Sequence, residues 1–278
     1  MQVNRGLAAR TIGVYRSAIS KFHEGIGGTA MGQHPRVTRF MKGVVIKKPP
    51  HRSLLPNWNL KIVLDFLQGP PFEPIEQARL EAITMKTIFL VAITTARRVS
   101  EIAALGRVPP YIRQEGGGIR LRTVPGFLPK TANAEHLGQD IFLPSFKKNP
   151  LLCVKRSFKC YVEATSVILA KKDEDRLFVD YEGPAKGQPM RKGVIAKLIR
   201  HTIKAAYRAA GKPEPKVKAH STRAMSTSWA AYNRATSDAI MRAADWRRKS
   251  TFIKHYSLHL WKEKDANFGK AVLSSQHH

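Results

Sequence analysis

The chain runs to 278 residues with 43% hydrophobic and 8% aromatic side chains, and 48 Lys and Arg against 20 Asp and Glu leave a formal charge of +28. That composition excludes collagen, coiled-coil, repeat and low-complexity architectures and fits one large domain, or a large one with a small one. No run of ~18 apolar residues is present to span a bilayer, the first thirty residues lack a secretory apolar core, and two cysteines, Cys153 and Cys160, exclude a disulfide scaffold or zinc ribbon, so a reducing, intracellular setting is expected.

Arg10–Phe22 places Ile12, Tyr15, Ile19 and Phe22 at helical spacing and predicts one amphipathic helix. The GIGG run at 25–28 ends it, and Lys47-Lys48-Pro49-Pro50-His51-Arg52 predicts a stiff basic linker, which puts a domain boundary near residue 50. Helices are expected over Pro56–Gly69 and Glu76–Leu105, the second apolar nearly all round and therefore buried. The glycines after Glu115 break the helical period, and Ile119–Val124 with Gln139–Pro144 suggests a small antiparallel sheet joined by a loop around Lys130. Helical patterns resume at about 150–170, 191–211, 219–232, 236–244 and 248–257. The expected fold is mainly α with one small antiparallel β-sheet, an α+β arrangement.

The charge is not spread evenly. Residues 1–52 hold ten Lys and Arg against one acid, residues 186–256 hold seventeen against three, and the stretch between is nearly balanced at eighteen against fourteen. Two basic segments far apart in sequence suit a protein that grips a phosphate backbone and releases its counterions. A highly charged but otherwise unremarkable surface, or a ribosome-associated protein, is the plainer alternative.

Three stretches carry groups suited to phosphate chemistry. In Thr95-Ala96-Arg97-Arg98-Val99-Ser100-Glu101-Ile102, Arg98 and Glu101 share a helical face, so an acid can orient a guanidinium whose paired donors match two phosphate oxygens; an ordinary surface ion pair has the same spacing. In Ala219-His220-Ser221-Thr222-Arg223, two cationic side chains at i and i+3 repel unless an anion lies between them; a capping histidine beside a solvated arginine is the alternative. In Asp245-Trp246-Arg247-Arg248-Lys249 through Tyr256, the tyrosine is either a core aromatic four residues after Phe252 or a phenol presented to phosphate in a cationic stretch.

Taken together and in chain order, these motifs resemble those of the tyrosine recombinase (phage integrase) family: an arginine box Thr-Gly-Leu-Arg-x-x-Glu-Leu, a lysine in a β-hairpin, His-x-x-Arg, a His or Trp, and a Tyr. The matching residues are Arg98, with Glu101 as its supporting acid, then Lys130, His220, Arg223, Trp246 and Tyr256. The wording HSTRAMSTSWA and AADWRRKSTFIKHY looks most like the branch encoded by eukaryotic retrotransposons (DIRS/Ngaro-like) and related mobile elements. The likeness covers roughly residues 50–260. Ala96 and Arg97 stand where Gly-Leu is commoner, and the interval from Trp246 to Tyr256 is one longer than the usual nine.

The resemblance implies a catalytic domain at 50–278, preceded at 1–49 by a partial helical DNA-clamp segment and linker. It implies DNA strand cleavage by Tyr256 through a 3′-phosphotyrosyl link, with Arg98 and Arg223 clamping the developing charge. His220 would take the tyrosine proton or hold an oxygen, Lys130 would protonate the leaving 5′ oxygen, and Trp246 would pack and donate its indole N–H. It also implies a double-stranded DNA partner gripped by residues such as Arg16, Lys47, Lys48, Arg247, Arg248 and Lys249, a homotetramer on two sites, no metal or other cofactor, no membrane, and a nuclear location. A type IB topoisomerase-like relaxation, or a basic DNA-binding protein without catalysis, are the competing expectations.

Overall fold

A computed structural model of the chain describes residues 6–49, 56–130, 132, 138, 140–169 and 175–258. It divides into two compact units, Met1–Ser53 and Leu54–His278.

The first unit is a helical hairpin. Helix α1 (Ala9–Phe22) buries Ala9 and Ile12 against Val44 of α2 (Pro35–Lys47), with Leu7 and Met41 at the edge. Between them, Gly25 at φ 102 closes the Ile26–Thr29 turn, where a Cβ would lie 2.5 Å from the Thr29 carbonyl oxygen. Helix α2 was not expected, because Gly43 and the run Val44-Val45-Ile46 weaken the helical pattern; Pro35 at its first turn starts it without losing a needed N–H. The apolar stripe of α1 is also less buried than its spacing suggests. Only Ile12 is covered, while Tyr15, Ile19 and Phe22 are 45%, 53% and 90% exposed, since α2 meets just one end of the stripe. Of the expected linker, Lys47 closes α2 and Lys48 donates to the Leu7 carbonyl at 3.4 Å; Pro50, His51 and Arg52 lie outside the described residues.

The second unit is built on α4 (Leu80–Thr95), buried all round by α6 (Val154–Ser166), α7 (Lys192–Ala209) and α8 (Ser221–Tyr232). Helix α3 (Leu60–Phe66), capped by the Asn59 side chain, is shorter than its pattern implied and packs on α7. Inside α4, Lys86 is 1% exposed and donates to the Leu67 carbonyl at 2.8 Å and to Glu73, which Arg156 also holds at 2.9 Å.

The single helix expected over Glu76–Leu105 is broken in the structure. Ala96 adopts the left-handed conformation, φ 52, ending α4, and the chain restarts as the short α5 (Val99–Ile102) in a new direction. The sheet is three-stranded, β1 (Ile112–Glu115), β2 (Gly118–Leu121) and β3 (Ile141–Pro144) in antiparallel order, one strand more than expected. Ile119 and Leu121 face Leu143 and Ile141 on the buried side. Gly118 has no alternative, since a Cβ there would sit 2.3 Å from the Phe142 ring and 2.4 Å from the Leu143 carbonyl. Helices α9 (Ser237–Ala243) and α10 (Lys249–His255) complete the unit around a small cluster of Ala96, Ile240, Ala244 and Trp246.

Candidate active site

The arginine box owes its shape to the break after α4. Arg98 occupies the N-cap of α5, and the Glu101 carboxylate accepts from both the Arg98 backbone N–H (3.0 Å) and its guanidinium (2.9 Å). Glu101 is buried and Arg98 half-buried, so the acid fixes the guanidinium from below and leaves its other donors free to turn outward. The left-handed turn has a second consequence: it directs the Ala96 carbonyl toward α8, where Arg223 donates to it at 2.8 Å.

Among the described residues, Arg223 is the largest fully buried side chain, 1% exposed. Its guanidinium donates to Ala96 and to the Ala244 carbonyl, tying the arginine box to the turn between α9 and α10. Above it lie two aromatic faces, Trp246 with its ring centroid 4.8 Å away and Tyr256 at 5.5 Å. Burial, reinforced by Arg98 and Arg97, lowers the guanidinium pKa to about 10, so it remains charged at neutral pH.

His220 stands at the N-cap position of α8 without capping it, and its Nε2 lies 2.9 Å from the Tyr256 hydroxyl, with the two rings edge-to-face at 5.5 Å. Desolvation in this contact, then the charges of Arg223, Arg98 and Lys130, hold its pKa below the usual histidine range. The imidazole is therefore neutral at pH 7 and can accept a proton at Nε2 in the tautomer that carries hydrogen on Nδ1. Lys130 is exposed on the turn that follows Pro129, close enough to act on His220; much of the loop beyond it, 133–137 included, lies outside the described residues.

Tyr256 is both a core aromatic and a phenol beside cations. Its ring packs 4.5 Å from Trp246, which stacks in turn on Phe252, while its hydroxyl reaches His220. Helix α10 ends at this tyrosine, with the Tyr256 and Ser257 N–H groups both donating to the Phe252 carbonyl. Two donors beside the phenol have no hydrogen-bond partner although they are buried: Nε of Arg223 and Nε1 of Trp246. A buried donor without an acceptor costs about 1–3 kcal/mol, and both of these belong to side chains packed on the Tyr256 ring.

The structure thus brings Arg98, Glu101, His220, Arg223, Trp246 and Tyr256 into one site, with Lys130 at its edge. Of the basic residues expected to hold DNA, Arg247, Arg248 and Lys249 are exposed at the start of α10, next to this site, and Lys47 is exposed at the end of α2. Arg16 and Lys48 are half-buried within the first unit, Lys48 on the Leu7 carbonyl, so neither presents its whole side chain. Among the described residues no group of three or more His, Cys, Asp or Glu is placed to hold a metal ion, and no helix is long and apolar enough to cross a membrane.

Sequence reasoning overlooked several contributors. Arg97, 5% exposed, reaches the buried Asp245 at 3.7 Å and the Arg242 carbonyl at 3.5 Å, bracing the turn that carries Trp246; the substitution of Arg for a commoner Leu was the available signal. Asp245 sits at φ 52, a conformation that Asp tolerates better than most residues. Ser228, in the run Ser226-Thr227-Ser228, offered no signal at all.

No protein-family model and no curated protein sequence matches the chain. Solved structures do. The chain superposes on the Tn1549 transposon integrase in complex with circular intermediate DNA with a TM-score of 0.58 at 14% identity, covering 95% of this chain and 80% of that one. It superposes on the XerH site-specific recombinase bound to palindromic difH with 0.55 at 13% identity, covering 92% and 68%. For the XerA recombinase the values are 0.53 and 16%, over 95% and 82%. At these identities the likeness speaks for architecture: a mostly helical body around a small antiparallel sheet, which is the fold of the tyrosine recombinase catalytic domain.

Proposed function

We propose that this protein breaks and rejoins DNA strands through a covalent 3′-phosphotyrosyl intermediate. The observation that carries the proposal is the Tyr256 hydroxyl held 2.9 Å from a neutral His220, with its ring beside the Arg223 guanidinium, whose Nε–H lacks an acceptor, and beside the Trp246 indole, whose N–H also lacks one. A scissile phosphate in that position meets an in-line nucleophile on one side and cationic, preorganised donors around its non-bridging oxygens.

In the step, the Tyr256 oxygen bonds to phosphorus as the bond from phosphorus to the 5′ oxygen breaks, and the phenolic proton passes to His220 Nε2. Arg98 and Arg223 stabilise charge on the non-bridging oxygens, and Lys130 delivers the proton that the departing 5′ oxygen takes up. The new ester keeps the energy of the phosphodiester, so a 5′ hydroxyl from another strand reverses the step and joins new ends. The superposed integrase and site-specific recombinase were both solved bound to DNA, which supports recombination over relaxation of supercoils. In this reading residues 50–278 form the catalytic domain, residues 1–49 contribute to a DNA clamp, exposed Arg247, Arg248 and Lys249 hold backbone phosphates, four copies assemble on two sites, and the element served is a mobile one whose reaction takes place in the nucleus.

The test is a duplex nicked close to the cleavage site, so that the freed 5′ fragment diffuses away and the adduct accumulates. The wild-type chain is expected to form a covalent protein–DNA species that Tyr256→Phe does not form, with band-shift affinity preserved in the variant. Adduct persisting in Tyr256→Phe, or a band shift without adduct in the wild type, would overturn the proposal, the second outcome leaving a DNA-binding protein without catalysis.

A further inference from the structure

Helix α8 carries six hydroxyls within twelve residues if the tyrosine at its end is included, and they do different work. Those of Thr222 and Thr227 fold back onto carbonyls of their own helix or its approach, Ala219 at 2.8 Å and Arg223 at 2.8 Å. That local bond is the ordinary resting place of a helical Ser or Thr. Ser228, 2% exposed, points elsewhere. Its Oγ accepts from the Leu258 N–H at 2.9 Å and donates to the Tyr256 carbonyl at 3.1 Å.

Those two groups flank Ser257, the residue that follows the proposed nucleophile. Tyr256 has φ −130 and ψ −20, so α10 stops there, and its carbonyl and the Leu258 N–H are left over by the helix. One hydroxyl satisfies both. The same helix holds the other end of the tyrosine, because His220 at its N-cap contacts the phenol oxygen. Helix α8 thus grips Tyr256 at its backbone and at its hydroxyl, and presents Arg223 between the two grips.

We infer that Ser228 is a positioning residue: by bridging the Tyr256 carbonyl and the Leu258 N–H it sets the placement of the phenol oxygen against Arg223 and His220. The inference rests on Tyr256 as the nucleophile. Misplacing a reacting atom by about 1 Å can cost ~10²-fold in rate, so two hydrogen bonds on the residue's own backbone are enough to govern cleavage without touching the phosphate.

The experiment compares wild type with Ser228→Ala, which removes both bonds at little change in volume, and Ser228→Thr, which retains the hydroxyl. Single-turnover adduct formation on the nicked duplex is expected to fall ~10- to 100-fold in Ser228→Ala, with DNA affinity within about twofold of wild type, and to recover to within about threefold in Ser228→Thr. Ring resonances of His220, followed by NMR across pH in the free protein, supply a readout independent of cleavage. In Ser228→Ala the phenol departs, water returns to the imidazole, and its titration moves upward toward that of an ordinary histidine. Should Ser228→Ala prove unfolded, Ser228→Cys, with weaker bonds from a similar volume, is expected to show the same two effects to a smaller degree. Wild-type cleavage and wild-type His220 titration in folded Ser228→Ala or Ser228→Cys would overturn the inference. A wild-type chain that forms no adduct removes the nucleophile on which the inference stands, and so overturns it together with the proposed function; an adduct-forming wild type with indifferent Ser228 variants overturns the inference alone.

Discussion

Replacing Arg223 with lysine retains a positive charge and removes only the geometry of the guanidinium, so it isolates what that geometry does. The guanidinium donates to Ala96 at 2.8 Å and to Ala244, two carbonyls on different loops, and still has an uncommitted Nε–H. An ammonium, as a single point, can retain one of these bonds but cannot span both loops. Losing one hydrogen bond from a charged donor costs about 1.5–3 kcal/mol. The expected loss of folding stability is therefore about 2 kcal/mol, visible as a lower midpoint in urea with an unchanged slope. Chemistry should suffer more. Removing one preorganised donor from a developing oxyanion costs about 10²–10³ in rate, or about 2.7–4 kcal/mol, whereas net charge and hence DNA affinity stay within about threefold. Single-turnover adduct formation on the nicked duplex, measured well below the variant's melting point, separates the two quantities. The environment that lowers the arginine to about 10 would press harder on an ammonium, whose unperturbed pKa is ~10.4; Arg223→Lys cleavage should accordingly decline at alkaline pH where wild-type cleavage does not. Adduct formation within about threefold of wild type, despite a lowered urea midpoint, would show that Arg223 supports the fold alone.

The depressed pKa of His220 makes two pH predictions with defined sign. Cleavage should hold level as pH falls to about 6.5, the ordinary histidine value, and decline only below it, once Nε2 protonates; a decline centred above 6.5 would contradict a neutral proton acceptor. Because the unfolded chain takes up this proton before the folded one does, stability should decrease as pH drops below about 6.5, and the difference between wild type and His220→Gln in urea midpoints should show the same window. On the far side of α4, Glu73→Ala leaves the buried Lys86 without its carboxylate and should destabilise by about 3–5 kcal/mol. Burial already lowers the Lys86 pKa, so this deficit should shrink at high pH as the amine loses its charge; a deficit indifferent to pH would mean that lost packing, not the unpaired charge, dominates.

Local pattern carries far in this chain. The continuous apolar surface of α4 announced a central helix, the alternation at Ile119, Leu121, Ile141 and Leu143 announced paired strands, and the i,i+3 spacing of His220 and Arg223 placed both at the start of one helix. Each of these is a one-dimensional period, legible because neighbours along the chain are neighbours in space. Composition pointed to a polyanion as partner class through the two basic segments, an expectation on which the proposed function builds. The pattern misled where one residue overrode it: Ala96 at φ 52 cut an expected helix in two, and the short α2 hid behind Gly43.

What only the tertiary structure decided is the meeting of groups remote in sequence. Arg223 reaches the Ala96 carbonyl across 127 residues, Tyr256 lies on Trp246 although the interval between them is unusual, and Ser228 is joined to the backbone beyond Tyr256 at a spacing that no periodicity encodes. Whether the tyrosine was a core aromatic or a phenol beside cations could not be read from its spacing, because the same i,i+4 relation to Phe252 serves both. Packing resolved it. The ring fills the small core under α10 and the hydroxyl emerges at His220, a geometry determined by the closure of loops whose entropy is repaid only when α4, α8, α9 and α10 assemble together.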